Sequence, residues 1–211
     1  MEKQKKIIFG NTLYTIGGAL VLNGVLQLFV YPKLNARMGA EAVGTMIYIM
    51  GLINILGPSA GQALNNSRLV VRRRYEVENG DYNCLLLFFS VIGIAVLILL
   101  AGNAIPDVFS GFLLFAVSLF TVFRFYGDVE YRMSLNYRQY FLYYSIAGAG
   151  YLLGYLIYLE TNNWYFIFLT GEALSLLFVG STGTIFRNFF RRSRNFKIVC
   201  ARGSMLVLSY L

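Results

Sequence analysis

Histidine is absent from this chain of 211 residues, and cysteine occurs only twice, as Cys84 and Cys200. Without histidine the chain cannot form a Ser-His-Asp triad, a haem–histidine bond or the common zinc sites. The two cysteines lie far apart and show no CxxC spacing, so neither a metal site nor a disulfide framework is predicted. We therefore expect no metal and no cofactor.

Charged residues are also scarce, at 13% of the chain, whereas 57% of the residues are hydrophobic and the mean hydropathy is +0.60. A soluble domain carries about 25% charge, and a helix that spans a bilayer needs about 20 mostly apolar residues. The composition therefore predicts an integral membrane protein with about six spans. The net charge of +8 comes from cations between the apolar runs, which favours a lipid bilayer as the partner and argues against nucleic acid.

Six apolar runs predict transmembrane helices, because lipid permits only helices or closed barrels and these runs are too long for barrel strands. The predicted fold is all-α, a polytopic membrane bundle of six transmembrane helices plus the start of a seventh. We expect a six-helix lobe over residues 1–200 and the start of a truncated seventh helix over residues 201–211. The predicted spans are Phe9–Phe29, Ala42–Ala63, Tyr82–Ala101, Phe109–Tyr126, Tyr137–Tyr158 and Trp164–Phe186.

Positive charges lie on alternate connections between these spans. The first connection carries Lys33 and Arg37, and the third and fifth carry no cation. The positive-inside rule therefore places the N-terminus and the even-numbered connections in the cytoplasm, in a multi-pass protein of the cell membrane. The basic and aromatic segment 187–197 is predicted to be an interfacial helix held by anionic lipids. The cations on the predicted cytoplasmic side are Lys3, Lys5, Lys6, Arg68, Arg72, Arg73, Arg74, Arg124, Arg132, Arg138, Arg187, Arg191, Arg192, Arg194 and Lys197.

Polar side chains inside the spans are the residues that mark function in a membrane bundle. Asn23 and Gln27 share one face of the first helix, and Asn54 and Gln62 accompany a polar stripe on the second. These stripes predict either hydrogen bonds between helices or the wall of a water-filled path. Pro58 predicts a kink in the second span, which serves either as a hinge or as local shape.

Three charged residues stand out. Glu172 is the one carboxylate within an otherwise apolar helix, and we expect it to be protonated, paired or facing water, because an unpaired buried carboxylate is costly. It is the leading functional candidate. Arg124 and Asp128 lie one helical turn apart and are predicted to pair. They mark either a site for an anionic, phosphate-bearing head group or ordinary anchoring at the membrane surface.

Tyrosines run along the whole fifth span at spacings of three and four. An interfacial belt would place them at the helix ends only, so the row predicts a packed or pore-facing stripe that includes Tyr140, Tyr144 and Tyr151. Gly150 and Gly154 form a GxxxG pattern, which is typical of close helix packing.

The sequence YPKLNARMGAEAVG at residues 31–44 resembles the first external loop of the polysaccharide flippases. These are the O-antigen and capsule repeat-unit translocases of the multidrug/oligosaccharidyl-lipid/polysaccharide exporter superfamily, which are bacterial. Arg37, Gly39 and Gly44 match the pattern of that loop, and YRMSLNY at residues 131–137 is similar to another family stretch.

The resemblance implies the N-terminal lobe of a two-lobe transporter, which moves a lipid-linked oligosaccharide through a cavity between the lobes by alternating access. The partner it implies is a missing C-terminal lobe or a second copy. The alternatives are a multidrug-type exporter lobe of the same superfamily and a small self-associating membrane channel or scaffold. A membrane enzyme needs carboxylates or histidines clustered at one depth, and the spans offer only Glu172, so no enzyme is predicted.

Overall fold

The chain is helical along nearly its whole length. The computed structural model describes residues 2–210, with side chains from Gly10 onward. Helices make up 84% of the structure, and the described residues contain no strand, so the all-α prediction is confirmed. The predicted cytoplasmic cations Lys3, Lys5 and Lys6 lie outside the described side chains. The α-helices of residues 2–210 are α1 (Glu2–Gly24), α2 (Tyr31–Met38), α3 (Ala40–Leu56), α4 (Ala63–Val71), α5 (Asn79–Ala101), α6 (Val108–Gly127), α7 (Val129–Met133), α8 (Tyr137–Thr161), α9 (Tyr165–Thr182) and α10 (Phe196–Ser209).

Six segments of the described chain are long and apolar enough to cross a membrane, and the chain is a multi-pass membrane protein. Helices α1 and α2 form one crossing, as do α3 and α4, and α6 and α7. Thr15, Gln62 and Tyr137 meet at what we call the basic end, and Met38, Asn103 and Thr161 meet at the opposite, far end, so successive crossings alternate in direction. The crossings are Gly10–Met38, Ala40–Val71, Asn79–Ala104, Val108–Met133, Tyr137–Thr161 and Tyr165–Thr182.

The first connection is helical up to Met38, so the first crossing extends beyond its predicted end at Phe29. The chain passes from α1 through a π-helical segment, Val25–Val30, into α2, which begins just before Pro32. A wider π turn changes the hydrogen-bond register, and this accommodates a proline that has no N–H. The chain turns only at Gly39, whose φ of 81° favours glycine because it has no Cβ.

Arg37, one of the residues behind the flippase resemblance, lies on α2 and contacts the end of α8. Its Nη2 donates to the carbonyl of Leu159 and to Oδ1 of Asn162, both at 3.2 Å. Its guanidinium carbon lies 5.6 Å from the ring centroid of Tyr158. A cation at a helix C-terminus satisfies free carbonyls and interacts favourably with the helix dipole. Arg37 therefore ties the first crossing to the fifth at the far end.

The prediction of an interfacial helix over residues 187–197 is wrong. This segment forms turns up to Asn195, and α10 begins at Phe196, five residues before the predicted start of the last helix. Its backbone is bound by side chains at the start of α5: Asn79 Nδ2 donates to the Arg187 carbonyl at 3.2 Å, and Ser193 N donates to Asp81 Oδ1 at 2.8 Å. These bonds replace the helical ones.

The sixth crossing ends at Thr182, four residues before the predicted end at Phe186. Gly183 is extended, and Glu130 Oε1 accepts a hydrogen bond from the backbone N–H of Thr184 at 3.0 Å. The Glu130 side chain also occupies the space that a Cβ on Gly183 would need, at 2.7 Å from its Cγ. This contact with α7 turns the chain away from the helical path.

Helices α8 and α9 pack with their backbones in contact. A Cβ placed on Gly150 would lie 2.6 Å from the Cα of Gly171, and a Cβ on Gly154 would lie 2.6 Å from the Cα of Ile167. Such an approach requires glycine, so the GxxxG prediction of close packing is confirmed. This contact fixes the relative positions of the tyrosine row on α8 and of Glu172 on α9.

Candidate substrate cavity in the middle of the bundle

A polar cavity of about 270 Å³ lies between α1 and α3, with α6, α8 and α9 as its floor. Seven of the predicted site residues line it, although they come from five different crossings. Asn23, Gln27 and Asn54 are exposed on the two walls, whereas the charged residues are buried in the floor. We call it the central cavity. Its lining residues are Ala19, Leu22, Asn23, Leu26, Gln27, Tyr31, Met50, Asn54, Arg124, Phe125, Tyr144, Tyr151, Phe168 and Glu172.

The central cavity lies near the middle of the crossings. Asn23 is 13 residues from Gly10 and 15 from Met38, and Asn54 is 14 residues from Ala40 and 17 from Val71. At about 1.5 Å per residue, both amides lie roughly 20 Å or more from either helix end. Polar side chains at this depth are costly in hydrocarbon. An arrangement that gathers them around one space reduces that cost.

Glu172 is paired, which is one of the three states expected for it. Arg124 Nε donates to Glu172 Oε2 at 2.5 Å, and Tyr151 OH donates to Oε1 at 2.8 Å. Arg124 and Glu172 are 5% and 1% exposed, so the pair has little contact with solvent. Each carboxylate oxygen has one donor, as buried charges require. Among the described residues, no group accepts a hydrogen bond from Nη1 or Nη2 of Arg124.

The aromatic rings of the floor hold Arg124 in place. Its guanidinium carbon lies 4.6 Å from the ring centroid of Phe125 and 5.9 Å from that of Tyr144. Tyr143 OH donates to the Arg124 carbonyl at 2.8 Å. Arginine over aromatic faces gains cation–π attraction, which is larger when water is excluded. The tyrosine row of α8 thus both packs and lines a cavity.

The predicted pair of Arg124 with Asp128 is not formed. Arg124 pairs with Glu172 on α9, and Asp128 follows Gly127, the last residue of α6. The Asp128 carboxylate instead accepts hydrogen bonds from Asn65 Nδ2 and, at 3.4 Å, from Tyr144 OH. Arg132 Nη1 lies 3.9 Å from its Oδ1.

A second polar cavity of about 550 Å³ lies at the basic end and contains the other predicted residues. Gln62, Asp128 and Tyr140 line it, and Phe125 and Tyr144 line both cavities. We call it the basic-end cavity. The rings of Phe125 and Tyr144 therefore separate the two spaces. The lining residues are Thr15, Gln62, Leu69, Arg73, Phe125, Asp128, Arg132, Tyr137, Tyr140 and Tyr144.

Pro58 lies in a π-helical segment, Gly57–Gln62, between α3 and α4. This segment packs on α6 beside Phe125: a Cβ on Gly57 would lie 2.7 Å from the Phe125 Cε2, and a Cβ on Gly61 would lie 2.8 Å from the Phe125 Cβ. Single π turns inside α-helices are frequent at functional sites. The geometry connects the hinge candidate Pro58 to a residue that separates the cavities.

Sequence reasoning missed three parts of the bundle. Phe125 and Phe168 line the cavity but are ordinary apolar residues in the sequence. Arg68, assigned to a cytoplasmic connection, is buried and donates to Tyr126 OH at 2.7 Å and to Asn79 Oδ1 at 2.5 Å. A third cavity lies at the far end, where the run Asn162-Asn163-Trp164 was the available signal.

Comparison with known proteins does not assign the chain. No protein-family model matches it, and neither a curated protein nor a solved structure gives a significant match. The features that bear on function are the two adjacent polar cavities.

Proposed function

We propose that the chain is one lobe of a membrane transporter that moves a lipid-linked oligosaccharide by alternating access. One observation carries the proposal: amides on α1 and α3 and an Arg124–Glu172 pair on the floor surround one cavity at the middle of the crossings. Amide and hydroxyl groups suit the many hydroxyls of a sugar, and guanidinium groups suit phosphate. The resemblance of residues 31–44 to the polysaccharide flippases favours the same substrate.

The route in this proposal leads from the basic-end cavity to the central cavity. Arg73 and Arg132 line the first cavity and would bind the phosphate of the head group. The sugar would then pass between Phe125 and Tyr144, which line both spaces. Phe125 packs against the π segment Gly57–Gln62. Movement of this segment would shift the Phe125 ring and open a passage between the two cavities.

The open side of the central cavity, where Asn23, Gln27 and Asn54 are exposed, would face a second lobe or a second copy. Exposed amides at the middle of a bilayer are unfavourable against lipid, and a facing lobe would enclose them. The arginine-rich basic end would lie in the cytoplasm, together with the N-terminus, in the cell (cytoplasmic) membrane.

The test is binding by the full chain in lipid nanodiscs. An oligosaccharide linked to an isoprenyl diphosphate, with an isoprenyl chain short enough to dissolve in water, should bind. The double variant Asn54→Ala with Gln27→Ala should lower the affinity about tenfold, as expected from the loss of one to two hydrogen bonds. Leu28→Ala, next to Gln27 and 83% exposed, is the control and should bind as the unchanged chain does.

Two results would contradict the proposal. Binding of a lipophilic cationic dye, without binding of the lipid-linked oligosaccharide, would indicate a multidrug-type exporter lobe. A stable symmetric oligomer that conducts ions across liposomes, again without oligosaccharide binding, would indicate a self-associating channel.

A further inference from the structure

A third cavity, of about 450 Å³, opens at the far end between the start of α3, the connection from α5 to α6, and the turn from α8 to α9. Its volume lies within the range of roughly 300–1,000 Å³ that is typical of small-molecule sites. It shares no lining residue with the central or basic-end cavity. We call it the far-end cavity.

Three asparagines supply the amide groups of its lining. Asn162 Oδ1 accepts from Arg37 Nη2 at 3.2 Å, and Asn163 Oδ1 accepts from the backbone N–H of Tyr165 at 3.1 Å. Both amides are therefore oriented, and among the described residues no group accepts from either Nδ2. Asn103 is exposed and makes no side-chain hydrogen bond within the described chain. The cavity thus offers amide donors, and at Asn103 an acceptor, that are free to bind a ligand.

Two aromatic rings form the apolar part of the same cavity. The rings of Trp164 and Tyr165 stack with centroids 3.8 Å apart, and Phe168 meets the Trp164 ring edge-on at 5.9 Å. Tyr165 is 3% exposed, so the pair is anchored in the bundle. A rigid aromatic surface beside amides provides apolar contact and hydrogen bonds together.

None of the lining residues is charged. Arg37 contacts the end of α8, as described above. Asp107 accepts from the backbone N–H of Ser110 at 2.8 Å and from its hydroxyl at 3.0 Å, and these bonds lower the pKa of Asp107. Both of these charges are therefore bound to protein groups, and the uncharged lining favours a neutral ligand.

We propose that the far-end cavity binds a neutral sugar through Asn103, Asn162 and Asn163, with Trp164 as its aromatic contact. This proposal rests on the proposed function in one respect: the sugar would be the head group of the transported lipid, held at the end of the bundle opposite the basic residues. Amides satisfy ring hydroxyls, aromatic rings cover the apolar face of a sugar, and the absence of charge excludes a preference for phosphate or uronate.

The experiment uses Trp164, the one tryptophan of the chain, as its reporter. The full chain in nanodiscs is titrated with the soluble neutral disaccharides maltose, lactose and diacetylchitobiose, and tryptophan emission is recorded. At least one should give a saturable change, and Asn103→Ala and Asn163→Ala should each weaken that binding about tenfold. Asn11→Ala, an amide near the basic end of α1 that lines none of the cavities described above, is the matched control and should leave the affinity unchanged.

Three results would overturn the inference: no saturable change with any of the three disaccharides, an affinity in Asn103→Ala and Asn163→Ala that equals that of the unchanged chain, or tighter binding of glucuronic acid than of glucose. Because Asn103 and Asn163 line the far-end cavity and not the central cavity, a loss of binding in these two variants reports the far-end cavity. Failure of lipid-linked oligosaccharide binding with a positive titration would remove the proposed function and leave the far-end sugar site standing.

Discussion

Arg124 and Glu172 lie 48 residues apart in the chain and form a buried ion pair with an Nε–Oε2 distance of 2.5 Å. The pair joins α6 to α9 at the floor of the central cavity. Burying both charges is unfavourable unless each is compensated. Tyr151 completes the compensation on the carboxylate, so the three residues act as one unit whose parts should depend on each other.

Glu172→Gln should destabilise the protein by about 3–5 kcal/mol, because it leaves the Arg124 charge buried without its partner. The double variant Arg124→Gln with Glu172→Gln should recover a large part of that loss, since no unpaired charge remains. Thermal unfolding of the unchanged chain, the two single variants Arg124→Gln and Glu172→Gln, and the double variant in detergent measures the coupling. Strictly additive losses would contradict the assignment of a dependent pair.

Gly150→Ala and Gly154→Ala should each destabilise the α8–α9 contact by about 1–3 kcal/mol or more, because their new methyl groups would meet backbone atoms of α9. Gly148→Ala on the same helix is the control, since its nearest neighbour would lie at 3.6 Å, an ordinary contact distance. Folded yield and melting temperature in detergent report the effect. Equal behaviour of the three variants would be inconsistent with the described packing.

Gly61→Ala should disturb the π segment, because its methyl group would overlap with α6 next to Phe125. We expect weaker coupling between the basic-end and central cavities and a lower melting temperature. Gly51→Ala, on the same crossing with no atom within 4 Å of a new Cβ, should behave as the unchanged chain does. A Gly61→Ala protein with unchanged stability and unchanged substrate binding would argue against this contact.

The basic end should lie in the cytoplasm. In a background in which Cys84 and Cys200 are replaced by serine, a cysteine at Glu160 on the far end should react with an impermeant maleimide in intact cells. A cysteine at Arg74 should react only after the membrane is opened. The reverse pattern would invert the proposed orientation.

The sequence determined the crossings well, because long apolar runs have one stable form in lipid. It also selected Asn23, Gln27, Asn54 and Glu172 as candidates, since polar residues stand out among apolar ones. These residues meet in one cavity because of how the crossings pack against each other, and the sequence pattern of a single helix does not predict that packing. The expected Arg124–Asp128 pair fails for the same reason: the spacing was correct, but Arg124 pairs with Glu172 on another crossing.

The segment 187–197 illustrates a second limit. Its basic and aromatic composition is typical of an interfacial helix, yet its backbone groups are bound by Asn79 and Asp81 more than a hundred residues earlier. Those two residues look like ordinary helix-start residues in the sequence. Contacts between distant polar side chains and backbone override a local pattern, and composition does not predict them.

The reactivity of a cysteine at Asn54 tests most directly whether the central cavity is open to water and to substrate. A thiol reacts with an impermeant maleimide as the thiolate, which forms in water and not in hydrocarbon. In the cysteine-free background, reconstituted in liposomes, Asn54→Cys should react, and a saturating lipid-linked oligosaccharide should slow the reaction about tenfold. Leu28→Cys on the exposed outer face of the same bundle should stay unreactive. If Asn54→Cys is as inert as Leu28→Cys, the central cavity is not a substrate path.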